Sequence, residues 1–331
     1  DYYRGTRYME YRGAMGASLN YDQPEALELD LAAAHLRELK AGVSIQKPLY
    51  SMKEGERIGY AELDASGKKA IIVEGLFALT NELADVADIT VFVNIETHGR
   101  MMRRLLRDVE RTSWSPNDIL SYMSTLEAMH RLYVQPTREQ ADVVITNEYN
   151  PTTEALRAAG RKTQIKYRGN YSEDMLQSAG GKLLTHAIRQ VDTYYAPEVG
   201  HLSLTGEQIR VRETVDETLF CYEGPRDKNP LVRHRPKIEF PIDQEALAHF
   251  ESLYPYAVTR VYKDRAVFAF GEVMVSLDDV VIVRGEDVVQ LGKFIEMSSD
   301  LAPNEAATKF YELARYLELK DEPIRTPYSQ M

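Results

Sequence analysis

The sequence predicts two domains in series: a parallel-sheet α/β domain over residues 1–150 and a strand-dominated, antiparallel α+β domain over 162–331, with 151–161 as the linker between them. Three observations carry this expectation. A chain of 331 residues is long for one domain and ordinary for two. Its first half alternates short β-branched runs with long amphipathic stretches, as the strands and crossover helices of a parallel sheet do. Its second half replaces that rhythm with closely spaced strands in which Arg and Lys alternate with aliphatic residues.

In the first half, Ala70–Val73, Ile89–Ile95 and Val143–Ile145 are nearly continuous apolar runs, suited to strands covered on both faces. Pro24 to Lys40 repeats apolar residues at Leu27, Leu31, Ala34 and Leu39, and Pro24 suits a first helical turn, where its missing N–H costs nothing. His98 to Arg111 is a second helix, carrying Met101, Met102, Leu105 and Leu106. Ser115-Pro116-Asn117-Asp118 opens a third with a cap, a first-turn proline and a well-placed acid, and that helix runs towards Val134.

Ligands of parallel sheets sit at the carboxyl ends of the strands. There, Glu74-Gly75 follows the Ile71–Val73 run; such an acid either holds Mg²⁺ for phosphoryl transfer or simply faces solvent. Arg100, Arg104, Arg107 and Arg111 share a helix face suited to phosphate oxygens, although the same stripe also serves as a solvated face with Asp108 and Glu110 as partners. Asp22 either caps the Pro24 helix or binds a substrate hydroxyl.

Residues 151–161 are small and polar enough for a linker. Beyond them, strands are predicted at Gln208–Arg212, Thr218–Tyr222, Pro236–Ile242, Ala257–Tyr262, Ala266–Phe270, Val273–Leu277 and Gly292–Met297, with helices at Gln244–Leu253 and Pro303–Leu317. In Ile209-Arg210-Val211-Arg212 the arginines take one face and the aliphatics the other; Lys162, Gln164 and Lys166, then Arg233, Arg235, Lys237 and Glu239, then Lys263 and Arg265 repeat the period. In an open sheet that face meets water. In a closed barrel it points inward, where adjacent cationic strands need a counter-anion such as a polyphosphate.

Composition narrows the class. An apolar share of 44% and a charged share of 27% are those of a globular chain with real cores, not of a fibre or a disordered tail. No apolar run approaches a membrane span, and the opening residues lack the apolar core of a signal peptide. The net charge of -11 argues against a main role in gripping nucleic acid. With one cysteine, Cys221, an internal disulfide is excluded. A cytoplasmic protein with neither nucleic acid nor membrane as partner is expected, and phosphate ligands, which need only a local cluster of Arg and Lys, stay open.

Particular segments resemble known families. The stretch 20–51, IIVEGLFAL at 71–79, VFVNIETHGRMMRRLLRDVER at 91–111 and VQPTREQADVVI at 134–145 resemble the uridine kinase branch of the P-loop kinases, in that family's order and spacing. DYYRG at the start is similar to the segment that follows the family's second strand. The resemblance implies an ATP-dependent phosphotransferase acting on a nucleoside or other small hydroxyl acceptor. It implies Asp1 or its neighbour as the base, Glu74 as a Mg²⁺ partner and Arg107 as a catalytic cation. It further implies Tyr3, Asp22, Arg57, Arg104 and Arg111 as substrate-binding residues. The family's phosphate loop, G-x-x-x-x-G-K-[ST], occurs nowhere in this chain, so the resemblance also implies a strand and loop preceding Asp1. Gly55 stands where uridine kinases carry a base-contacting histidine, and the family's E-R-G-R lid reads Glu110-Arg111-Thr112-Ser113.

Residues 162–320 resemble the CYTH, or triphosphate tunnel, family through QVDTYY at 190–195, IRVR at 209–212, LFCYEGP at 219–225, RPKIEF at 235–240, SLDDV at 276–280 and LGKFIEMSS at 291–299. This implies an eight-stranded antiparallel tunnel. Lys166, Arg210, Arg212, Arg235, Lys263 and Arg265 would bind polyphosphate there, and Glu239, Asp278 and Glu296 would hold Mg²⁺ or Mn²⁺. The family's opening E-x-E-x-K reads Lys162-Thr163-Gln164-Ile165-Lys166 here, without its acids. Glu223 replaces a lysine, and Lys237 and Ser298 replace acids. The domain order resembles a group of tunnel proteins associated with pyrophosphatase activity. Metal-dependent pyrophosphate or triphosphate hydrolysis and non-catalytic sensing therefore stand beside the kinase expectation.

Overall fold

A computed structural model describes residues 1–11, 20–111, 114–147, 160–196, 206–224, 232–254, 256–324 and 326–331. The chain divides into two compact units, Asp1–Ile95 with Ser124–Glu148, and Glu96–Met123 with Tyr149–Met331. No helix among the described residues is long and apolar enough to cross a membrane.

The first unit contains helix α1 (Thr6–Tyr11), helix α2 (Leu29–Lys40), an antiparallel hairpin of β1 (Ile45–Ser51) and β2 (Glu56–Leu63), and the short helix α3 (Asn81–Ala84). Strands β3 (Val91–Asn94) and β4 (Val143–Thr146) pair in parallel. This is the expected parallel sheet, reduced to two strands among the described residues. Its entry is fixed by Asp142, whose Oδ2 accepts from the Thr90 amide at 2.7 Å and the Thr90 hydroxyl at 2.8 Å. The core of the unit sets Ala32 and Ala33 of α2 against Leu83 and Val86.

Three expectations are corrected here. Ala70–Val73 is irregular and Ile72 is 89% exposed, with no ladder partner among the described residues. Apolar character alone does not make a strand; its edges need neighbours. The β1–β2 hairpin was not predicted because it is mostly polar, with only Ile45 and Pro48 buried on β1. The helix expected from Pro24 begins instead at Leu29, with Glu28 in its cap position. Pro24–Ala26 is a separate short turn. The opening segment claims the intervening backbone: Arg4 N donates to Ala26 O and Glu28 N to Tyr2 O, both at 2.9 Å, so Leu27 is extended and bridges Tyr3. Asp22 is therefore not the cap of α2.

The second unit begins with helix α4 (Thr97–Arg111). Helix α5 (Pro116–Met129) opens with the expected reciprocal cap: Ser115 N donates to Asp118 Oδ2 at 2.8 Å and Asp118 N to Ser115 Oγ at 3.2 Å. A wider helical turn over His130–Val134 follows α5, in the stretch that belongs to the first unit. Eight strands then close into an antiparallel barrel: β5 (Arg161–Arg168), β6 (Lys182–Ala196), β7 (Gln208–Glu213), β8 (Thr218–Glu223), β9 (Arg233–Pro241), β10 (Tyr256–Phe270), β11 (Val273–Arg284) and β12 (Asp287–Ser299). Their order around the ring is β10-β11-β12-β5-β9-β8-β7-β6, and β6 pairs with β10 to close it.

β10 is one strand where two were expected. Lys263-Asp264-Arg265 breaks the apolar pattern but keeps its ladder to both neighbours. β5 starts at Arg161, inside the expected linker, of which residues 151–159 lie outside the described residues. Helices α6 (Glu173–Ser178), α7 (Gln244–Leu253) and α8 (Pro303–Tyr316) accompany the barrel. The outward side chains Phe268, Val275, Ile295 and Met297 pack with Ala306, Phe310 and Ala314 of α8. On α7, Phe250 meets the ring of Phe220 edge-on at 5.3 Å.

This packing makes α8 a support of the barrel wall. Phe310 is fully buried, and truncating such a ring costs about 3–5 kcal/mol. Phe310→Ala should lower the unfolding free energy of the barrel, read from a urea titration, by that amount; a loss under about 1 kcal/mol would show that the barrel does not depend on α8.

Candidate functional site

Strand alternation places the charges. In β7, Ile209 and Val211 are buried on one face while Arg210 and Arg212 line the barrel interior. The same parity turns Lys166 of β5, Lys237 and Glu239 of β9, Lys263 and Arg265 of β10 and Glu296 of β12 inward. They surround a cavity of about 130 Å³ lined by eight basic side chains and four carboxylates.

The inward cations stand in register with carboxylates of the chain itself. Arg212 is opposite Asp192, Arg265 opposite Asp278, Lys166 opposite Glu296 and Lys237 opposite Glu223. The counter-charge that a barrel of basic strands requires is thus supplied in large part from within. Asp192 has no exposed surface and accepts from Arg212 Nε at 2.8 Å and from Lys263 Nζ at 2.6 Å. Glu223 accepts from Arg210 Nη1 at 2.6 Å, and its Oε2 lies 3.0 Å from Arg235 Nη1. Glu239 meets Lys237 at 2.8 Å and Arg212 at 3.2 Å. Asp278 takes both arms of Arg265, at 2.6 and 2.7 Å, and Glu296 lies 3.5 Å from Arg265.

Burial alone would raise the carboxylate pKa values, but the cations win. Asp192 is held well below its ordinary value by Arg212, Lys263 and Arg210, and Glu223 likewise by Arg210, Arg233 and Arg235. Glu239 and Glu296 are brought down to about 2. The lysines also fall, but from a different cause: burial, which disfavours their charge, brings Lys166 down to about 7 and Lys263 to about 8. Burial pushes the Cys221 thiol up to about 11, so it is an inert packing group.

One part of the interior is apolar. Val261, Val280, Ile282 and Phe294 pack with Tyr194 and with Tyr328 of the C-terminal segment. Ile324 N donates to Lys166 O at 2.7 Å, Lys166 Nζ donates to Thr326 O at 2.6 Å and sits 4.0 Å above the Tyr328 ring, and Tyr328 Oη donates to Asp278 Oδ2 at 2.9 Å.

All six basic residues expected to bind polyphosphate therefore belong to one interior. The three acids expected to hold metal are there too, but not as a metal centre: among the described residues no three His, Cys, Asp or Glu side chains come together as ligands. Asp192, Glu223, Lys237 and Tyr328 were missed as site residues. Asp192 and Glu223 are legible only through register, since an acid on one strand has no evident role until the opposite strand is known, whereas Lys237 lies on the face that the period-2 pattern already turns inward. Tyr328 carries no periodic signal at all.

In the first unit, Asp1 Oδ2 accepts from Lys47 Nζ at 2.7 Å, and Lys47, Arg57 and Glu74 all lie within electrostatic reach of the Asp1 amino group. Arg57 Nη2 donates to Tyr3 O at 3.2 Å and to Glu28 Oε2 at 2.8 Å. Tyr3 packs against Tyr50 with ring centroids 5.3 Å apart, and Asp22 N donates to Asn20 Oδ1 at 2.9 Å. Arg57, distant in sequence, is thus gathered with Tyr3, and Glu74 lies near the Asp1 amino group. On α4, Asp108 is bound by Arg104 at 2.8 Å and Arg107 at 2.6 Å, the pairing foreseen for a solvated stripe. The side chain of Arg111 lies outside the described residues.

Residues 2–153 match the phosphoribulokinase/uridine kinase family and residues 161–325 match the CYTH domain. The chain is 27% identical over 262 residues to inorganic pyrophosphatase TTM2 of Arabidopsis thaliana, covering 78% of this chain and 38% of that protein. It is 22% identical over 317 residues to uridine-cytidine kinase C of Dictyostelium discoideum, covering 94% of this chain and 67% of that one. It is 35% identical over 146 residues to the uridine kinase of Bacillus pumilus (strain SAFR-032), covering 44% of this chain and 68% of that one. The chain spans about two fifths of the length of the plant pyrophosphatases it matches.

Removing the charge of Asp192 leaves buried cations uncompensated, so Asp192→Asn should destabilise the barrel by about 3–5 kcal/mol in denaturant titration. Acid should act similarly. Glu239 and Glu296 fall from an ordinary 4.5 to about 2 on folding, so the unfolded chain binds protons first as the pH drops. Their contribution is fully present above pH 4.5 and lost towards about 2. Barrel stability that is flat through this window would contradict the ion-pair assignment.

Proposed function

The chain belongs to the phosphoribulokinase/uridine kinase family in its first half and carries a CYTH domain in its second, and on that premise we propose that it is a phosphotransferase whose tunnel binds a short linear polyphosphate. The observation that carries the tunnel assignment is the surplus of cations around the cavity after the chain's own carboxylates are counted. Guanidinium and ammonium groups on several walls of a narrow interior suit the oxygens of pyrophosphate or triphosphate, which offer charge along a line.

For the first half, the proposed acceptor is a nucleoside or another small hydroxyl compound and the donor is ATP. Asp1 is the proposed base: it takes the acceptor's proton as its oxygen attacks the γ-phosphorus and ADP leaves. Tyr3, Asp22 and Arg57 are proposed to position the acceptor, and Arg104, Arg107 and Arg111 to meet phosphate oxygens. Glu74 is proposed to hold Mg²⁺ in the way such ions are usually taken, by one or two carboxylates plus substrate phosphates. Mg²⁺, when bound, supplies neutralisation of phosphate charge. The proposed domain limits are 1–150 and 162–331, and the proposed location is the cytoplasm. A second reading, hydrolysis of pyrophosphate or triphosphate in the tunnel, is supported by the similarity to plant inorganic pyrophosphatases.

Phosphate release from pyrophosphate and triphosphate, measured beside ATP consumption with a panel of nucleosides, separates these readings. Kinase turnover that survives Arg212→Ala supports the first; hydrolysis lost in that variant supports the second. Neither activity in the full chain would sink both. The tunnel assignment also predicts a lysine response. In a ¹³Cε-lysine NMR titration, Lys166 and Lys263 should titrate near 7 and 8, as burial dictates. Triphosphate should raise both midpoints by about one unit or more, because an adjacent anion favours the charged form. Midpoints unmoved by saturating triphosphate would place the ligand elsewhere.

A further inference from the structure

A divalent cation bound by a protein takes oxygen ligands from carboxylates that converge on it. In this tunnel the carboxylates converge on protein cations instead. Asp278 is filled by the two arms of Arg265 and by the Tyr328 hydroxyl at 2.9 Å. Glu239 is shared between Lys237 and Arg212, and Glu296 lies beside Arg265 and Gln164. β5 adds no acid to them: it carries Lys162, opposite Arg235, and Gln164, opposite Arg233. A divalent ion approaching any of these acids would meet a guanidinium or ammonium group already in place, a like-charge encounter.

We propose that the tunnel binds its polyphosphate in the metal-free form, with protein cations supplying the neutralisation that a divalent ion would otherwise provide. This rests on the reading that the ligand is a polyphosphate. It adds that the ligand species is the free polyanion rather than its magnesium complex. Mg²⁺ is then a competitor: it lowers the charge of the ligand and withdraws it from the site. The donor set explains the direction. Guanidinium groups bind phosphate oxygens directly and bidentately, and a metal on the same oxygens removes those acceptors.

The test is calorimetry on the full chain with a methylene-bridged triphosphate analogue, which cannot be hydrolysed. It is run at constant ionic strength, first in EDTA and then with Mg²⁺ in large excess. Binding in EDTA that weakens by about tenfold or more with Mg²⁺ is the expected result. Binding that appears or tightens only with Mg²⁺ would overturn the metal-free assignment and leave the polyphosphate reading standing. No binding under either condition would overturn both. A Lys162→Gln variant, altered at a partly exposed position, guards against misreading a folding defect. It should fold normally and weaken analogue binding several-fold in EDTA; unchanged affinity there would contradict direct binding by this wall.

Discussion

A ring of strands that turns basic side chains inward can close only if the repulsion among them is met. In this barrel the meeting charge is Asp192, buried without exposed surface between Arg212 and Lys263, with Arg210 at 3.6 Å. It joins three strands, β6, β7 and β10, at the seam where the ring closes. Glu223 and Asp278 do comparable work for Arg210 with Arg235 and for Arg265. These pairs are costly to desolvate and costly to break. Their value lies in holding guanidinium planes in fixed positions around the cavity before any ligand arrives, the preorganisation that polyanion binding needs.

The interior is graded. Where Val261, Val280, Ile282 and Phe294 meet Tyr328, apolar packing replaces charge. Tyr328 belongs to both environments. Its ring lies against Phe294 at 5.1 Å and beneath Lys166, while its hydroxyl reaches Asp278. The neutral tendency of Lys166 follows from this setting: the ring and the Thr326 carbonyl surround the ammonium with weak partners in a dry place. A lysine so placed gains charge most readily when an anion comes beside it, which couples protonation to ligand binding.

Much of this was legible in the sequence, and the limits are physical. The period-2 pattern of Ile209-Arg210-Val211-Arg212 was enough to assign faces, because pleating admits no other arrangement. The reciprocal cap at Ser115 and Asp118 was equally local and formed as written. Closure of the barrel came from the family resemblance, since periodicity alone left the cationic face open to water. Register was not legible, and with it went Asp192 and Glu223, whose roles exist only beside Arg212 and Lys263 and beside Arg210 and Arg235. Ala70–Val73 failed as a strand for a related reason: a strand is defined by its neighbours as well as by its own residues. Lys263-Asp264-Arg265 looked like a break, yet it is the middle of a strand whose charged face is interior.

The central claim is that a preformed lattice of protein cations, balanced by buried carboxylates, receives a linear polyanion directly. A crystal structure of the full chain with the methylene-bridged triphosphate and Mg²⁺ both present tests it most directly. The account predicts phosphate oxygens within hydrogen-bond distance of Arg212 and of Lys166 or Lys263, with Asp278 still gripped by Arg265 and no metal bridging ligand to Glu239 or Glu296. A metal ion seated between those carboxylates and the phosphates, with Arg265 displaced, would contradict it.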